Sequence, residues 1–117
     1  MAKAVAACQQ PEGYWTRSLL DPEHAPGPET SGTAFFTYGL LWGMNNGFLD
    51  KATYQPVVEK AWKYLTTVAL QPDGRIGYVQ PIGEKAIPGQ VVDANSTANF
   101  GVGAFLLAAC EMVRFLD

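Results

Sequence analysis

Charge is scarce in this chain. Only 16% of its 117 residues are Asp, Glu, Lys or Arg, against about 25% in an average globular domain. A chain this short has much surface for its volume and would ordinarily need more charge, not less. The shortfall points to apolar surface meant to be covered, by further chain or by other subunits; the competing reading is a small, well-packed, charge-poor domain. Basic clusters are missing too, and the net charge is −3. Nucleic-acid binding needs concentrated Lys and Arg, so that class is set aside. The longest apolar run, Phe100 to Cys110, falls short of the roughly 20 residues that span a bilayer. The stretch Ala4 to Ala7 ahead of Cys8 is too short for a secretory signal, which needs about 7–15 apolar residues. No membrane segment is expected.

Reactive side chains are equally few. The two cysteines, Cys8 and Cys110, lie far apart without CxxC spacing, and read as small buried thiols rather than a disulfide. His24 is the single histidine; it stands in a proline-rich loop, where a catalytic role would need an oriented partner, and it reads as a solvated loop residue. No metal-ligand spacing, phosphate loop or nucleophile motif is present. No cofactor and no metal are expected.

What the sequence does hold is a recurrence. Thr33-Ala34-Phe35-Phe36-Thr37-Tyr38-Gly39 returns as Thr97-Ala98-Asn99-Phe100-Gly101-Val102-Gly103, with Thr, Ala, Phe and Gly in matching places. Each copy follows a long Gly/Pro-rich stretch and opens a nearly uncharged helical segment. Such a repeat suggests stacked helical hairpins.

Residues 2–9 read as the end of a helix stopped by Pro11 and Gly13. With no cap ahead of it, that helix looks truncated. Residues 10–30 form a long loop, briefly extended near Tyr14 to Leu20. Thr30 or Ser31 caps the next helix, with Glu29 well placed near its positive end. Ser31 to Asn46 carries no charge, so this helix is buried on all sides or lines a protected cavity; Tyr38 and Trp42 fall on one face of it as core or lining. Gly47 suits a left-handed terminus. Asp50 or Thr53 caps a third helix, in which Pro56 is tolerated near the start. There Val57, Val58, Ala61, Trp62, Leu65 and Val68 make one apolar stripe, opposite Glu59, Lys60 and Lys63. Pro72-Asp73-Gly74 is a turn, Ile76 to Gln80 a short strand, and Pro81 to Asp93 another long loop. Asn95, Ser96 or Thr97 caps the last helix, whose small residues permit close packing.

The order is therefore buried helix, amphipathic helix, buried helix. Short links leave the buried helices and long loops enter them. An inner ring of parallel helices wrapped by an outer ring has this pattern, with the inner N-termini and long loops at one end, the natural place for a pocket.

The motifs Gly13-Tyr14-Trp15-Thr16-Arg17-Ser18-Leu19-Leu20-Asp21-Pro22, Glu29 to Leu40, Asp73 to Pro81 and Gly101 to Ala108 resemble the C-terminal third of the family 88/105 glycoside hydrolases, the unsaturated glucuronyl and rhamnogalacturonyl hydrolases. The resemblance covers nearly the whole chain. It implies an all-α fold, part of an (α/α)6 toroid: about two helical hairpins with long pocket-end loops, residues 1–117 forming the C-terminal third of the domain. It also implies release of the unsaturated uronic acid that lyases leave on an oligosaccharide, in a bacterial setting, cytoplasmic or periplasmic. In the implied mechanism an aspartic acid protonates the C4=C5 enol ether, water adds at C5 and the hemiketal collapses; one carboxyl group alternates between acid and base. The family's catalytic aspartates belong to its N-terminal half. None is assigned here, and the isolated chain is expected to be inactive.

Substrate-binding candidates lie at the pocket end. Trp15 offers a sugar platform or, alternatively, a core anchor. Arg17 offers a guanidinium for a uronate carboxylate or is simply solvated. Glu29 and Ser31 open a helix whose free N–H groups favour anions, although both are also standard capping types. Asp93 to Ser96 open the other buried helix, but Asn95-Ser96 departs from the acidic residues usual ahead of Thr97, which weakens a binding role there. Asp21, Glu23 and Glu29 are taken as structural or solvated rather than as a catalytic carboxylate pair. The partners expected are an oligosaccharide ending in an unsaturated uronic acid and further copies of the chain, joined through exposed apolar helix faces; three copies would close a six-hairpin ring. The alternatives are a non-catalytic sugar-binding or oligomerisation module and a sugar epimerase, the latter disfavoured by the lone His24.

Overall fold

The computed structural model describes residues 1–117 and contains helices and loops but no extended strand. Helix α1 (Ala2–Ala7) is followed by α2 (Thr30–Asn45), α3 (Lys51–Tyr64) with a π-helical continuation (Leu65–Ala69), and α4 (Asn99–Leu116). Two connections in this order are long and one is short, as expected for an inner and an outer helix layer.

Helix α2 begins because Glu29, in an extended conformation, folds its carboxylate over the first free amides, accepting from Ser31 N at 3.1 Å and Gly32 N at 2.6 Å. It ends where Gly47 adopts φ +79 and the amides of Phe48 and Leu49 both return to Gly43 O. Asp50 caps α3 by accepting from Thr53 N (2.9 Å) and Thr53 Oγ1 (2.7 Å). Pro56 falls in the second turn of α3 rather than the first. The ladder bond it forgoes would have ended on Ala52, which is exposed, so the loss falls at the surface. The apolar stripe does not continue as one α-helix to Val68. Thr66 and Thr67 hydroxyls capture the carbonyls of Trp62 and Lys63 at 2.9 and 2.6 Å, and Leu70 N closes a wider turn onto Leu65 O. Side-chain competition for i−4 carbonyls loosens a helix in this way.

Helices α2 and α4 lie side by side and run parallel. At their beginnings, Ala34 of α2 and Ala104 of α4 share a core with Val79, Ile76, Leu65 and Tyr64. At their ends, Asn45 Nδ2 donates to Glu111 Oε2 (2.8 Å) and Glu111 O (3.0 Å). Helix α3 runs the other way, its last residue Tyr64 meeting Thr30 at 2.8 Å. A second core around Leu41, Met44, Val58, Ala61 and Met112 fills the opposite half, with Trp15 as its anchor. Both helix starts thus reach one rim, where the long loops gather.

Several expectations change. Helix α2 is not buried on all sides: Phe35 and Trp42 are 47% and 43% exposed, and α4 likewise leaves Leu106, Leu107 and Val113 uncovered. Trp42 lies flat on Phe48, ring centroids 5.5 Å apart. Cys110 is exposed on that face and Cys8 half-buried; both are free thiols. Helix α4 is, by length and composition alone, apolar enough to cross a membrane; its packing on α2 and its uncovered face account for that composition. Ile76 to Gln80 is not a strand. Ile76 makes one isolated bridge to Leu70, and Tyr78 takes φ +61, a left-handed turn that ends any alternation. The last helix is capped by none of Asn95, Ser96 or Thr97; it starts after Ala98 without a side-chain cap.

Gly13 is fixed by geometry: its φ is +101 and a Cβ there would stand 2.1 Å from Lys60 O. Gly13→Ala should therefore lower unfolding free energy by about 2–4 kcal/mol in urea titration, through strain and a backbone clash. Gly39→Ala, within α2 where a Cβ meets nothing within 4 Å, should raise it by about 0.5–1 kcal/mol. Equal effects at the two positions would refute the close approach of residues 10–14 to α3.

Candidate functional site

The rim is organised around Glu29. Its side chain is buried (2% exposed) and accepts four hydrogen bonds: from Ser31 N and Gly32 N, from Ser31 Oγ at 2.7 Å and from Gln80 N at 3.1 Å. Three of these cap α2; the fourth ties in the segment that follows the Tyr78 turn. Thr30 continues the tie. Its N–H donates to Tyr78 O at 2.7 Å and its hydroxyl to Gly77 O at 2.6 Å. That spends the only hydroxyl proton of Thr30, so Tyr64 is the donor in the Thr30–Tyr64 bond. Burial pushes the Tyr64 hydroxyl pKa well up, and the negative charge of Glu29 adds to the rise. The other side of the segment is held by Tyr78 N to Asp93 O (2.8 Å) and Val79 N to Ser96 O (2.9 Å). Asp93 and Ser96 thus serve a turn that grips residues 78–79, instead of capping α4.

The four candidates part company here. Glu29 and Ser31 are brought together, but by each other: every oxygen of the pair is engaged in the cap. Trp15 is 1% exposed. Its indole Nε1 donates to Val5 O at 2.7 Å and its ring packs edge-on against Phe36, centroids 5.3 Å apart. A stacking platform needs a free face, and this indole has none; its place is that of the core anchor. Arg17 alone reaches a cavity. It is half-buried and joins Gln80, Glu84, Lys85, Gln90 and Phe100 around a half-open space of about 340 Å³ walled on one side by residues 81–87. Of these, only Arg17 was singled out from the sequence. The Gly/Pro spacing marks 81–93 as a loop, but nothing in the chain announces that Gln90 folds back onto an arginine 73 positions earlier. His24, Asp21 and Glu23 are exposed. The cavity has one carboxylate, Glu84, and no second acid beside it. Its groups suit binding and charge recognition more than acid–base chemistry.

Comparison with known proteins gives this rim a context. The family model described as Glycosyl Hydrolase Family 88 matches residues 1–116. The chain belongs to glycosyl hydrolase family 88. It is 45% identical over 97% of its length to an unsaturated 3S-rhamnoglycuronyl hydrolase of Formosa agariphila, of which it spans 29%. Among solved structures, a family 88 glycosyl hydrolase from Bacteroides vulgatus is 78% identical and superposes with a TM-score of 0.93 over 98% of this chain and 33% of its own. Another, named a polysaccharide lyase, is 89% identical with a TM-score of 0.92 over 98% of this chain and 32% of its own. The family 88 fold is an (α/α)6 toroid, and this all-α chain is a portion of one. The chain spans about a third of the relatives it matches, and its helix faces are uncovered accordingly.

Glu29→Ala should cost about 2–4 kcal/mol of stability, since it strips a cap and leaves buried donors unpaired, and more than Asp50→Ala at the exposed cap of α3. Tyr64→Phe should cost about 1 kcal/mol at neutral pH. A tyrosine whose pKa is raised by folding stabilises fully below its unfolded value of 10.0 and loses that contribution as pH climbs beyond it. Stability should therefore fall above about pH 10, and Tyr64→Phe should make the fall shallower; Tyr14, also raised by burial, accounts for part of what remains. Denaturation curves from pH 8 to 11.5 check the sign; an unchanged alkaline slope in the variant would contradict the buried position of Tyr64.

Proposed function

We propose that residues 1–117 are the C-terminal third of a toroidal hydrolase that removes an unsaturated uronic acid from lyase-generated oligosaccharides. The observation that carries this reading is the 45% identity, over nearly the full chain, to an unsaturated 3S-rhamnoglycuronyl hydrolase. In that role the chain supplies part of the pocket rim, with Arg17 beside the cavity as the partner for a sugar carboxylate, while the acid that protonates the enol ether comes from elsewhere in the toroid. The isolated 117-residue chain is then a structural and binding segment without turnover.

The 89% identity to a chain named a polysaccharide lyase favours a second reading, bond cleavage by elimination. The two reactions have opposite optical signatures. A hydrolase of this kind consumes the enol ether and its ultraviolet absorbance; a lyase acting on intact polyuronate creates it. The whole toroidal protein containing this segment should bleach an unsaturated uronyl disaccharide, and the isolated segment should not. A gain of absorbance on intact polymer would replace hydrolysis by elimination, and binding without either change would make the protein a sugar-binding module. In the whole protein, Arg17→Ala should raise KM for the disaccharide about 10-fold or more with a smaller change in kcat, the pattern of lost substrate binding.

A further inference from the structure

Residues 81–92 are attached to the molecule in an unusual way. Inside the segment there is one hydrogen bond, Gln90 N to Ile87 O at 3.3 Å. Only Arg17 ties it to the body by hydrogen bonds: the guanidinium donates to Gln90 Oε1 at 2.9 Å and to Ile87 O and Gln90 O at 3.4 Å each. Its two ends, by contrast, are fixed, Gln80 N to Glu29 Oε1 at 3.1 Å and Asp93 O to Tyr78 N at 2.8 Å. Ile82 and Val91 do little to hold it down, being 89% and 75% exposed; Ala86 and Val92 are half-buried. A loop with a pinned neck and a single point of purchase opens at low cost.

The same arginine lines the half-open space that the loop walls on one side. Three of the five guanidinium N–H donors are engaged with the loop, leaving two. Lys85 adds a second cation to the lining, opposite one carboxylate, Glu84. Phe100 and Gln80 supply the mixture of aromatic and amide surface that sugars favour.

We propose that residues 81–92 form a strap latched by Arg17, and that the cavity between strap and body takes an oxyanion carried on a sugar, a carboxylate or a sulfate ester, which binds the remaining Arg17 donors and holds the strap to the body. The latch follows from the hydrogen bonds alone; the ligand half rests on the uronate reading given above.

Lys85 makes the strap its own reporter: it is exposed, but a lysine-specific protease must draw the residues around it into an extended stretch, which requires the strap to leave its latch. In the native chain, cleavage after Lys85 should be slow. Arg17→Ala should speed it about 10-fold or more, and Arg17→Lys should not restore it, as an ammonium lacks the planar fork. Cleavage after Lys60 and Lys63 in α3 should stay unchanged and serves as the measure of global unfolding. Glucuronate or glucose 6-sulfate should slow the Lys85 cut several-fold in the native chain and leave Arg17→Ala unaffected; whichever acts identifies the anion, and glucose is the neutral comparison. Equal rates after Lys85 in the native chain and Arg17→Ala, or a parallel rise after Lys60, would overturn the latch. A faster cut in Arg17→Ala with no effect of either anion on the native chain would uphold the latch and overturn the ligand. The ultraviolet assay on the whole protein is independent of all these results, so a failed ligand and a failed hydrolase reading remain separable.

Discussion

One carboxylate holds the rim together. A buried negative charge is costly to desolvate unless its lone pairs are filled and an opposing potential is near. Glu29 meets both conditions: four donors converge on it, three of them from the positive end of α2. What distinguishes it from an ordinary helix cap is the fourth donor, Gln80 N. Through that bond the start of an inner helix fixes the end of the Tyr78 turn and the root of the strap. Thr30 and Tyr64 repeat the connection one layer deeper, with a left-handed Tyr78 kept in place from both sides. Helix placement and cavity geometry are thus settled by the same few atoms.

The parallel pairing of α2 and α4 rests on different forces. Near the rim the small residues Ala34 of α2 and Ala104 of α4 share one core, and a Cβ on Gly101 would stand 2.5 Å from Val79, so α4 also closes on the segment after the Tyr78 turn. At the far end the Asn45–Glu111 pair fixes the relative height. Those contacts use one side of each helix. The remaining apolar sides stay open, and the matching relatives are about three times as long. Low charge, uncovered apolar faces and partial coverage of a toroid are three views of the same condition: the packing unit is larger than this chain.

Much of this was legible in the sequence because it depends on local pattern. The uncharged run from Ser31 to Asn46, the alternation of short and long links, and the echo of Thr33-Ala34 in Thr97-Ala98 foretell parallel inner helices opening at one rim. The misreadings have physical causes. Glu29, read as a neighbour of the cap, is the cap, because a longer side chain can reach back over Ser31 and Gly32. Ile76 to Gln80 has strand-like composition, but four tertiary hydrogen bonds to Thr30, Asp93 and Ser96 hold Tyr78 where a strand cannot go. Trp15 looked equally suited to sugar or core, and the choice fell to Val5 and Phe36, contacts no local pattern encodes. The cavity was the least legible part, since the bonds from Arg17 to Gln90 join residues with no shared periodicity.

The five-residue π segment after α3 has a consequence for how this protein tolerates change. A widened turn is geometrically a one-residue insertion absorbed by the helix that contains it. Leu65 and Ala69 face the core while the arc between them bulges outward, Thr67 and Val68 being exposed. Loss of one residue from that arc would return the helix to ordinary winding with Leu65 and the relocated Ala still on one face, three positions apart. Removal of one residue here should therefore leave the rim undisturbed, which makes this arc a tolerant point in the helix.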